Sequence, residues 1–233
     1  MDKNITNQDR LIVALDVPTV AAAKNMVEEL GDAVSFYKIG LELFMSGEYF
    51  ELLDWLKAKQ KKIFVDLKFF DVPATVGRAI KQLNGKGVTF ATIHGNDSIM
   101  RSAAENKGDV QVLAVTVLTS LDRGDLDDLG FDCDVDKLVL SRAKRAIELG
   151  CDGVVASGLE APVMRANLGH NFMIVSPGIR PVDNDDDQKR VVTVEKAFEN
   201  GADYIVIGRP IRDAENPKAA AEAIQAQIAK SLS

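Results

Sequence analysis

Eight short apolar runs, rich in β-branched residues, recur along this chain, and a helical pattern follows each of them. The predicted strands cover residues 11–17, 35–40, 62–69, 88–95, 110–118, 152–157, 172–179 and 203–210. Strict alternation of strand and helix implies parallel strands joined by right-handed crossover connections. Closed α/β barrels run to roughly 250 residues as one domain. We therefore predict an α/β fold, a single (β/α)8 TIM barrel domain spanning residues 1–233.

The rival architecture is an open, doubly wound sheet. Such a sheet normally carries a glycine-rich fingerprint in the turn after its first strand. Here that turn reads ALDVPTVAAA, over residues 14–23, and contains no glycine. No linker or low-complexity tract interrupts the series of strands and helices, so the closed barrel is the better prediction.

Composition excludes several classes of function. The chain is 46% hydrophobic and 27% charged, with a net charge of −7, whereas a nucleic-acid binder would show a basic stripe. No apolar run approaches the roughly 20 residues that span a bilayer, and residues 1–10 lack the apolar core of a secretory signal. Cys133 and Cys151 have neither metal-site nor redox spacing. We expect a cytoplasmic protein that binds neither nucleic acid nor membrane.

The segment IFVDLKFFDVPATV, residues 63–76, contains three charged residues, Asp66, Lys68 and Asp71, where a predicted strand ends and a loop begins. Because side chains alternate along a strand, Asp66 and Lys68 share one face with Phe64, and Asp71 lies beyond the strand in the following turn. Taken alone, the segment is also compatible with a structural ion pair at a strand end.

Two further strand ends strengthen the functional interpretation. Parity puts Asp16 and Lys38 on the inner faces of the first two strands. In a barrel the C-terminal strand ends converge on one mouth, where enzymes of this fold place their chemistry. Lysines interleaved with aspartates keep one another ionised at neutral pH. In such a site Lys68 could deliver a proton to a carbanion, while the carboxylates destabilise a negatively charged group of the substrate by repulsion.

A phosphate site is predicted beside these charges. The loops after strands seven and eight carry Gly178-Ile179-Arg180 and Gly208-Arg209. Barrels commonly bind phosphate in these two loops, glycine lets backbone N–H groups approach an anion, and arginine binds phosphate through two donors. The polar segment 181–190, PVDNDDDQKR, is either a mobile lid over the ligand or a solvated acidic loop.

With these residues in place, the chain closely resembles the orotidine 5′-phosphate decarboxylase family in its bacterial form. Motifs in the family's order are LIVALDV, YKIG, DLKFFDVPATV, IHG, VLTS, PGIRP, DDQKR and IGRPI, and they extend over essentially the full length. The resemblance implies decarboxylation of orotidine 5′-phosphate to UMP in de novo pyrimidine synthesis, without a metal or an organic cofactor.

The resemblance also implies roles for individual residues. Lys68 would be the general acid that protonates C6, Asp66 would lie beside the substrate carboxylate, and Lys38 would complete the charged network. The residues implied to bind substrate are Asp16 at the ribose hydroxyls, Thr119 on the pyrimidine side, and Arg180, Gln188, Gly208 and Arg209 at the phosphate. Asp71 and Thr75 would reach into the partner subunit's site, which implies a homodimer.

Two positions depart from the usual pattern of the family. Phe70 stands where histidine is common, and Ala74 stands where asparagine is common. Neither position is implied to transfer a proton. The departures bear on the hydrogen bonding of the loop that carries Asp71, and not on the class of reaction.

Two alternatives stay open at the level of sequence. The first is the metal-dependent ketogulonate phosphate decarboxylase of the same barrel group, which shares the D-x-K-x-x-D motif formed here by Asp66, Lys68 and Asp71. The resemblance implies an acidic metal ligand at the end of strand two in that enzyme, where this chain has Lys38, which would repel a divalent cation. The second is a non-catalytic barrel that binds a phosphate ligand. The intact set of Lys38, Asp66, Lys68 and Asp71 argues against it, because a protein without catalytic activity usually loses charges that are so costly to keep.

Overall fold

The computed structural model describes residues 3–180 and 191–232, so Gln188 and the predicted lid, residues 181–190, lie outside the described residues. Eight parallel strands close into a barrel in sequence order. They are β1 Leu11–Ala14, β2 Phe36–Gly40, β3 Lys62–Phe69, β4 Val88–Ile93, β5 Gln111–Val115, β6 Gly153–Val155, β7 Met173–Ser176 and β8 Tyr204–Ile207. The predicted (β/α)8 barrel is confirmed.

Helices cover the outside of the barrel. They are α1 Val20–Leu30, α2 Leu41–Met45, α3 Tyr49–Ala58, α4 Pro73–Lys81, α5 Asp97–Asn106, α6 Arg123–Asp128, α7 Val135–Glu148, α8 Ala161–Leu168, α9 Val194–Glu199, α10 Arg209–Arg212 and α11 Pro217–Ser231. The short helices α2, α6 and α10 are additions to the eight predicted ones. Each lies in the connection that leaves a strand end, so all three lie near the mouth. Within the described residues, no helix has the length and apolar character to cross a bilayer.

The interior of the barrel is filled by large side chains from alternate strand positions. The buried inward-facing set is Ile12, Ala14, Phe36, Phe64, Phe90, Leu113, Met173, Val175, Tyr204 and Val206. The Phe90 ring packs edge-on against Tyr204 at 5.1 Å between centroids and lies 5.2 Å from Phe36. Intervening residues such as Val13 and Ile39 face the helices and belong to the outer core. This alternation carries the next inward-facing side chains up to the mouth.

A second charged cluster closes the opposite, N-terminal end of the barrel. The Asp203 carboxylate, just before β8, accepts hydrogen bonds from Lys3 Nζ at 2.8 Å, Arg165 Nη2 at 2.7 Å and the Ile174 backbone N–H at 2.8 Å. The side chains of Arg165 and Asp203 are only 8% and 12% exposed. Because removing one partner leaves the other charge buried and uncompensated, this cluster should stabilise the fold.

We expect Asp203→Asn to lower the free energy of unfolding by about 3–5 kcal/mol, measured by urea denaturation, because Arg165 and Lys3 lose their counter-charge in a buried site. The matched control is Glu199→Gln, which breaks an exposed pair with Lys196. That change should cost less than about 1 kcal/mol. Equal losses in the two variants would contradict a stabilising role for the buried cluster.

Candidate active site

The C-terminal strand ends surround one cavity of about 430 Å³. Eight of the residues predicted from sequence line it together: Asp16, Lys38, Asp66, Lys68, Thr119, Arg180, Gly208 and Arg209. They come from the ends of six different strands, including residues far apart in the chain. The barrel therefore assembles the charged residues and the predicted phosphate residues around the same space.

The charged residues form a continuous chain of ion pairs. Lys38 Nζ lies 3.0 Å from Asp16 Oδ1 and 3.5 Å from Asp66 Oδ2. Lys68 Nζ lies 2.9 Å from Asp66 Oδ1. The side chains of Lys38 and Asp66 are 12% and 13% exposed, whereas that of Asp16 is 46% exposed. Asp66 is thus held between two ammonium groups, and Asp16 lies at the opening.

Asp66 and Lys38 each favour the charged form of the other. Burial opposes the charge of Asp66, but Lys38 and Lys68 outweigh it and lower the pKa of that carboxyl below its ordinary value. Burial likewise opposes the charge of Lys38, but Asp66 and Asp16 outweigh it and raise the pKa of its ammonium. Both groups are therefore charged at neutral pH, and neither is available as a free base.

The β3 strand reaches the mouth through a local distortion. Val65 pairs with Ala91 and Phe69 pairs with Ile93, so the residues from Asp66 to Lys68 bulge opposite Thr92 alone. Lys68 has φ +48°, in the left-handed region that residues with a Cβ atom seldom adopt. Sequence alternation predicted the shared direction of Asp66 and Lys68, but it gave no sign of this bulge.

Thr92 is a site residue that sequence reasoning missed. It is fully buried, its hydroxyl donates to Asp66 Oδ1 at 2.9 Å, and it accepts the Lys68 backbone N–H at 3.0 Å. A signal was present, because Thr92 shares the inward face of β4 with Phe90.

The other side of the cavity is rich in arginine. Arg180 is 7% exposed, and its Nη1 donates to the Ile179 carbonyl at 2.9 Å. Gly178 has φ +75°, a backbone conformation that glycine adopts readily. Arg212 of α10 also lines the cavity and donates to the Asp16 carbonyl at 2.7 Å. Sequence reasoning did not identify Arg212, because its position depends on the short helix α10.

Asp71 and Thr75 do not line this cavity. They face a second cavity of about 340 Å³, next to apolar side chains that include Leu41, Phe44 and Phe70. The Asp71 carboxylate accepts a hydrogen bond from the Val72 backbone N–H. Among the described residues, no lysine or arginine forms an ion pair with Asp71. Within one chain, Asp71 is therefore separate from the network around Asp66.

Phe70 and His94 form a ring pair at the edge of the mouth. Their centroids are 5.6 Å apart in an edge-to-face arrangement, and Phe70 is 69% exposed. Burial lowers the pKa of His94, and the positive charges of Arg142 and Lys68 lower it further. His94 is therefore neutral at physiological pH.

The arrangement can bind a dianionic ligand at its arginine side and carry out proton transfer at its lysine side. A carboxylate fixed beside a bound anionic group would destabilise that group, and the adjacent ammonium could donate a proton. Among residues 3–180 and 191–232, no three His, Cys, Asp or Glu side chains come together in a way that could hold a metal ion.

Comparisons with known proteins find relatives that match nearly the whole chain. The model of the orotidine 5′-phosphate decarboxylase / HUMPS family matches residues 9–224. Orotidine 5′-phosphate decarboxylase of Methylococcus capsulatus is 69% identical over 229 residues, covering 97% of this chain and 95% of that protein. The enzyme of Stenotrophomonas maltophilia is 53% identical over 231 residues, covering 98% of this chain and 96% of that protein.

A solved structure gives the same result for the fold. The crystal structure of orotidine 5′-phosphate decarboxylase from Lactobacillus acidophilus superimposes with a TM-score of 0.83 at 36% identity, covering 94% of this chain and 99% of that one. The match in sequence thus extends over nearly the whole chain, and the match in structure includes the barrel that builds the site. The chain belongs to the orotidine 5′-phosphate decarboxylase / HUMPS family.

Proposed function

We propose that this protein is an orotidine 5′-phosphate decarboxylase, a carboxy-lyase that converts orotidine 5′-phosphate to UMP in pyrimidine biosynthesis. The observation that carries the proposal is the position of Asp66 at the mouth, held between Lys38 and Lys68 and facing the cavity. The high identity to curated decarboxylases over nearly the full chain supports the same conclusion.

The chemistry follows from the two charges at the reactive end. The substrate carboxylate lies beside Asp66, and the repulsion between the two anions is relieved as carbon dioxide leaves. The C6–carboxyl bond breaks, its electron pair stays on C6, and Lys68 transfers a proton from its ammonium group to C6. Lys38 keeps Asp66 ionised, so that the carboxylate remains charged while the substrate is bound.

The phosphate binds at the opposite side of the cavity. Arg180 and Arg209 supply the charge, and the backbone at Gly208 approaches the phosphate closely. Gln188 is assigned to the phosphate as well, on the resemblance alone. Asp16 contacts the ribose hydroxyls, and Thr119 contacts the pyrimidine. Binding energy gained at the phosphate can then offset the unfavourable contact at the substrate carboxylate.

We propose that the reaction needs no metal ion. Lys38 Nζ lies between the carboxylates of Asp16 and Asp66, where it occupies the position that a divalent cation would need. Its positive charge would repel such an ion. The same contact disfavours the metal-dependent ketogulonate phosphate decarboxylase reaction.

We expect the purified protein to decarboxylate orotidine 5′-phosphate at an undiminished rate in the presence of EDTA. The reason is that Lys38, and not a metal ion, provides the positive charge beside Asp66. The reaction is monitored by the decrease in substrate absorbance. A parallel assay with a ketogulonate phosphate substrate and magnesium should show no turnover. Loss of activity with EDTA and its return with magnesium would contradict metal independence, and no turnover at all would contradict the proposed function.

We also propose that the enzyme acts as a homodimer in which Asp71 and Thr75 complete the partner's site. Apolar side chains surround these two residues at the surface, with Phe70 69%, Val72 62% and Leu41 58% exposed. A contiguous apolar surface of this kind is typical of an interaction site. A second copy of the chain would cover it and bring Asp71 to the neighbouring mouth.

We place this activity in the cytoplasm. Cys133 and Cys151 are both free thiols in the structure, which suits a reducing compartment.

A further inference from the structure

Thr92 occupies a position where one side chain contacts both parts of the proposed proton-transfer machinery. Its hydroxyl donates to Asp66 Oδ1, the same oxygen that pairs with Lys68 Nζ. The hydroxyl also accepts the backbone N–H of Lys68. The side chain is fully buried beneath the charged residues and does not line the substrate cavity.

The strand pairing explains why a hydroxyl is needed at this point. Thr92 is the single β4 residue opposite the bulge from Asp66 to Lys68. A bulge leaves backbone groups without their ladder partners, and a buried N–H without an acceptor is costly. The Thr92 hydroxyl takes the place of the missing ladder carbonyl for the Lys68 N–H.

The same bulge holds Lys68 in its unusual conformation. A left-handed φ at a residue with a Cβ atom persists only where the surroundings over-determine it. The hydrogen bond from Lys68 N–H to Thr92 is one such constraint, and the ion pair from Lys68 Nζ to Asp66 is another. The first bond ends on the Thr92 hydroxyl itself. The second ends on Asp66 Oδ1, to which the same hydroxyl donates.

We infer that Thr92 is a positioning residue, which fixes the Asp66 carboxylate and the Lys68 ammonium relative to each other through its hydroxyl. The inference rests on the proposed function and extends it to a residue without substrate contact. The Thr92 hydroxyl donates a hydrogen bond to Asp66 Oδ1 and accepts one from the Lys68 backbone N–H, so each bond has a defined direction. Serine can replace it in both, whereas valine has the same shape and can replace it in neither.

The test compares Thr92→Val, Thr92→Ser and wild type with orotidine 5′-phosphate. We expect Thr92→Val to lower kcat on the order of 100-fold with KM changed by less than about threefold, because misplacement of a reacting group costs rate rather than binding. Thr92→Ser should stay within about threefold of wild type in both constants. A merely structural role would lower the melting temperature of Thr92→Val without this split between kcat and KM.

The matched control is Thr116→Val. Thr116 is 1% exposed and also donates from a buried barrel position, but its hydroxyl bonds to the Val155 carbonyl, away from the charged network. We expect this variant to keep the wild-type kcat. If Thr92→Val does not fold, Thr92→Ala and Thr116→Ala are compared by the same criteria.

A crystal structure of the unliganded Thr92→Val variant provides a readout that needs no activity. We expect Lys68 to leave the left-handed region and its Nζ to move away from Asp66. If the wild type shows no turnover, the proposed function fails, and the position of Lys68 in the variant alone decides the inference. In an active enzyme, Thr92→Val with kcat within about threefold of wild type, or Thr92→Ser as impaired as Thr92→Val, would overturn it.

Discussion

Replacing Lys68 by alanine is expected to abolish decarboxylation while the protein still binds UMP. Lys68 is the proposed proton donor, and its Nζ lies at the mouth, 2.9 Å from Asp66. Positioned general acids contribute about 10²–10⁴-fold to rate, so kcat should fall by at least about 10³-fold when the charge beside Asp66 is lost as well. The measurements are turnover of orotidine 5′-phosphate and calorimetric titration with UMP.

The control for this variant is Lys62→Ala. Lys62 lies at the other end of the same strand, where its Nζ pairs with Asp9 at 2.8 Å and the side chain is 45% exposed. Its loss removes one positive charge from β3 without touching the mouth, so kcat should stay at the wild-type value. Wild-type turnover by Lys68→Ala would remove the proposed proton donor. Loss of both turnover and UMP binding would instead assign Lys68 to ligand binding.

Mixing two inactive variants is expected to restore activity if Asp71 serves the partner's site. Lys68→Ala and Asp71→Asn should each lower kcat by at least about 100-fold, since each removes a charge from every active site. In a mixed dimer, one site combines both changes and the other combines the intact Lys68 with the intact Asp71. Random exchange of subunits makes half of the dimers mixed, so about one quarter of the wild-type activity should return.

A mixture of Lys68→Ala with Asp66→Asn is the matched control. Asp66 and Lys68 form an ion pair within one chain, so every site in this mixture lacks one of them and no activity should return. Recovery in the first mixture but not in the second would locate Asp71 in the partner's site. Failure of the first mixture to recover, with subunit exchange verified by mass spectrometry of differently labelled chains, would place Asp71 in its own chain's site.

Much of the site could be predicted from local pattern. Alternation along β1 and β2 indicated that Asp16 and Lys38 follow the inward positions of Ile12 and Phe36, and the structure confirms both directions. The inward direction of a side chain at a regular strand end is fixed by the two-residue period of the strand itself. The order of eight strand and helix units similarly determined the barrel, because parallel neighbours require crossovers.

Other features depended on contacts between distant segments. The bulge at Asp66 to Lys68 exists only in relation to the register of β4, and the role of Thr92 follows from that register. Arg212 lies at the cavity because the short helix α10 turns the chain back after β8. Its guanidinium then donates a hydrogen bond to the Asp16 carbonyl. Neither the register nor the turn leaves a periodic signal in the residues concerned.

The sequence by itself determined the barrel and which charged residues reach its mouth, since both follow from local periodicity and the chirality of parallel crossovers. Only the tertiary structure decided how those charges are held. It placed Asp66 between two lysines, put Lys68 in a left-handed conformation against Thr92, and separated Asp71 from its own chain's network. The physical reason is that hydrogen bonds and ion pairs between strands depend on their relative register, which no single segment encodes.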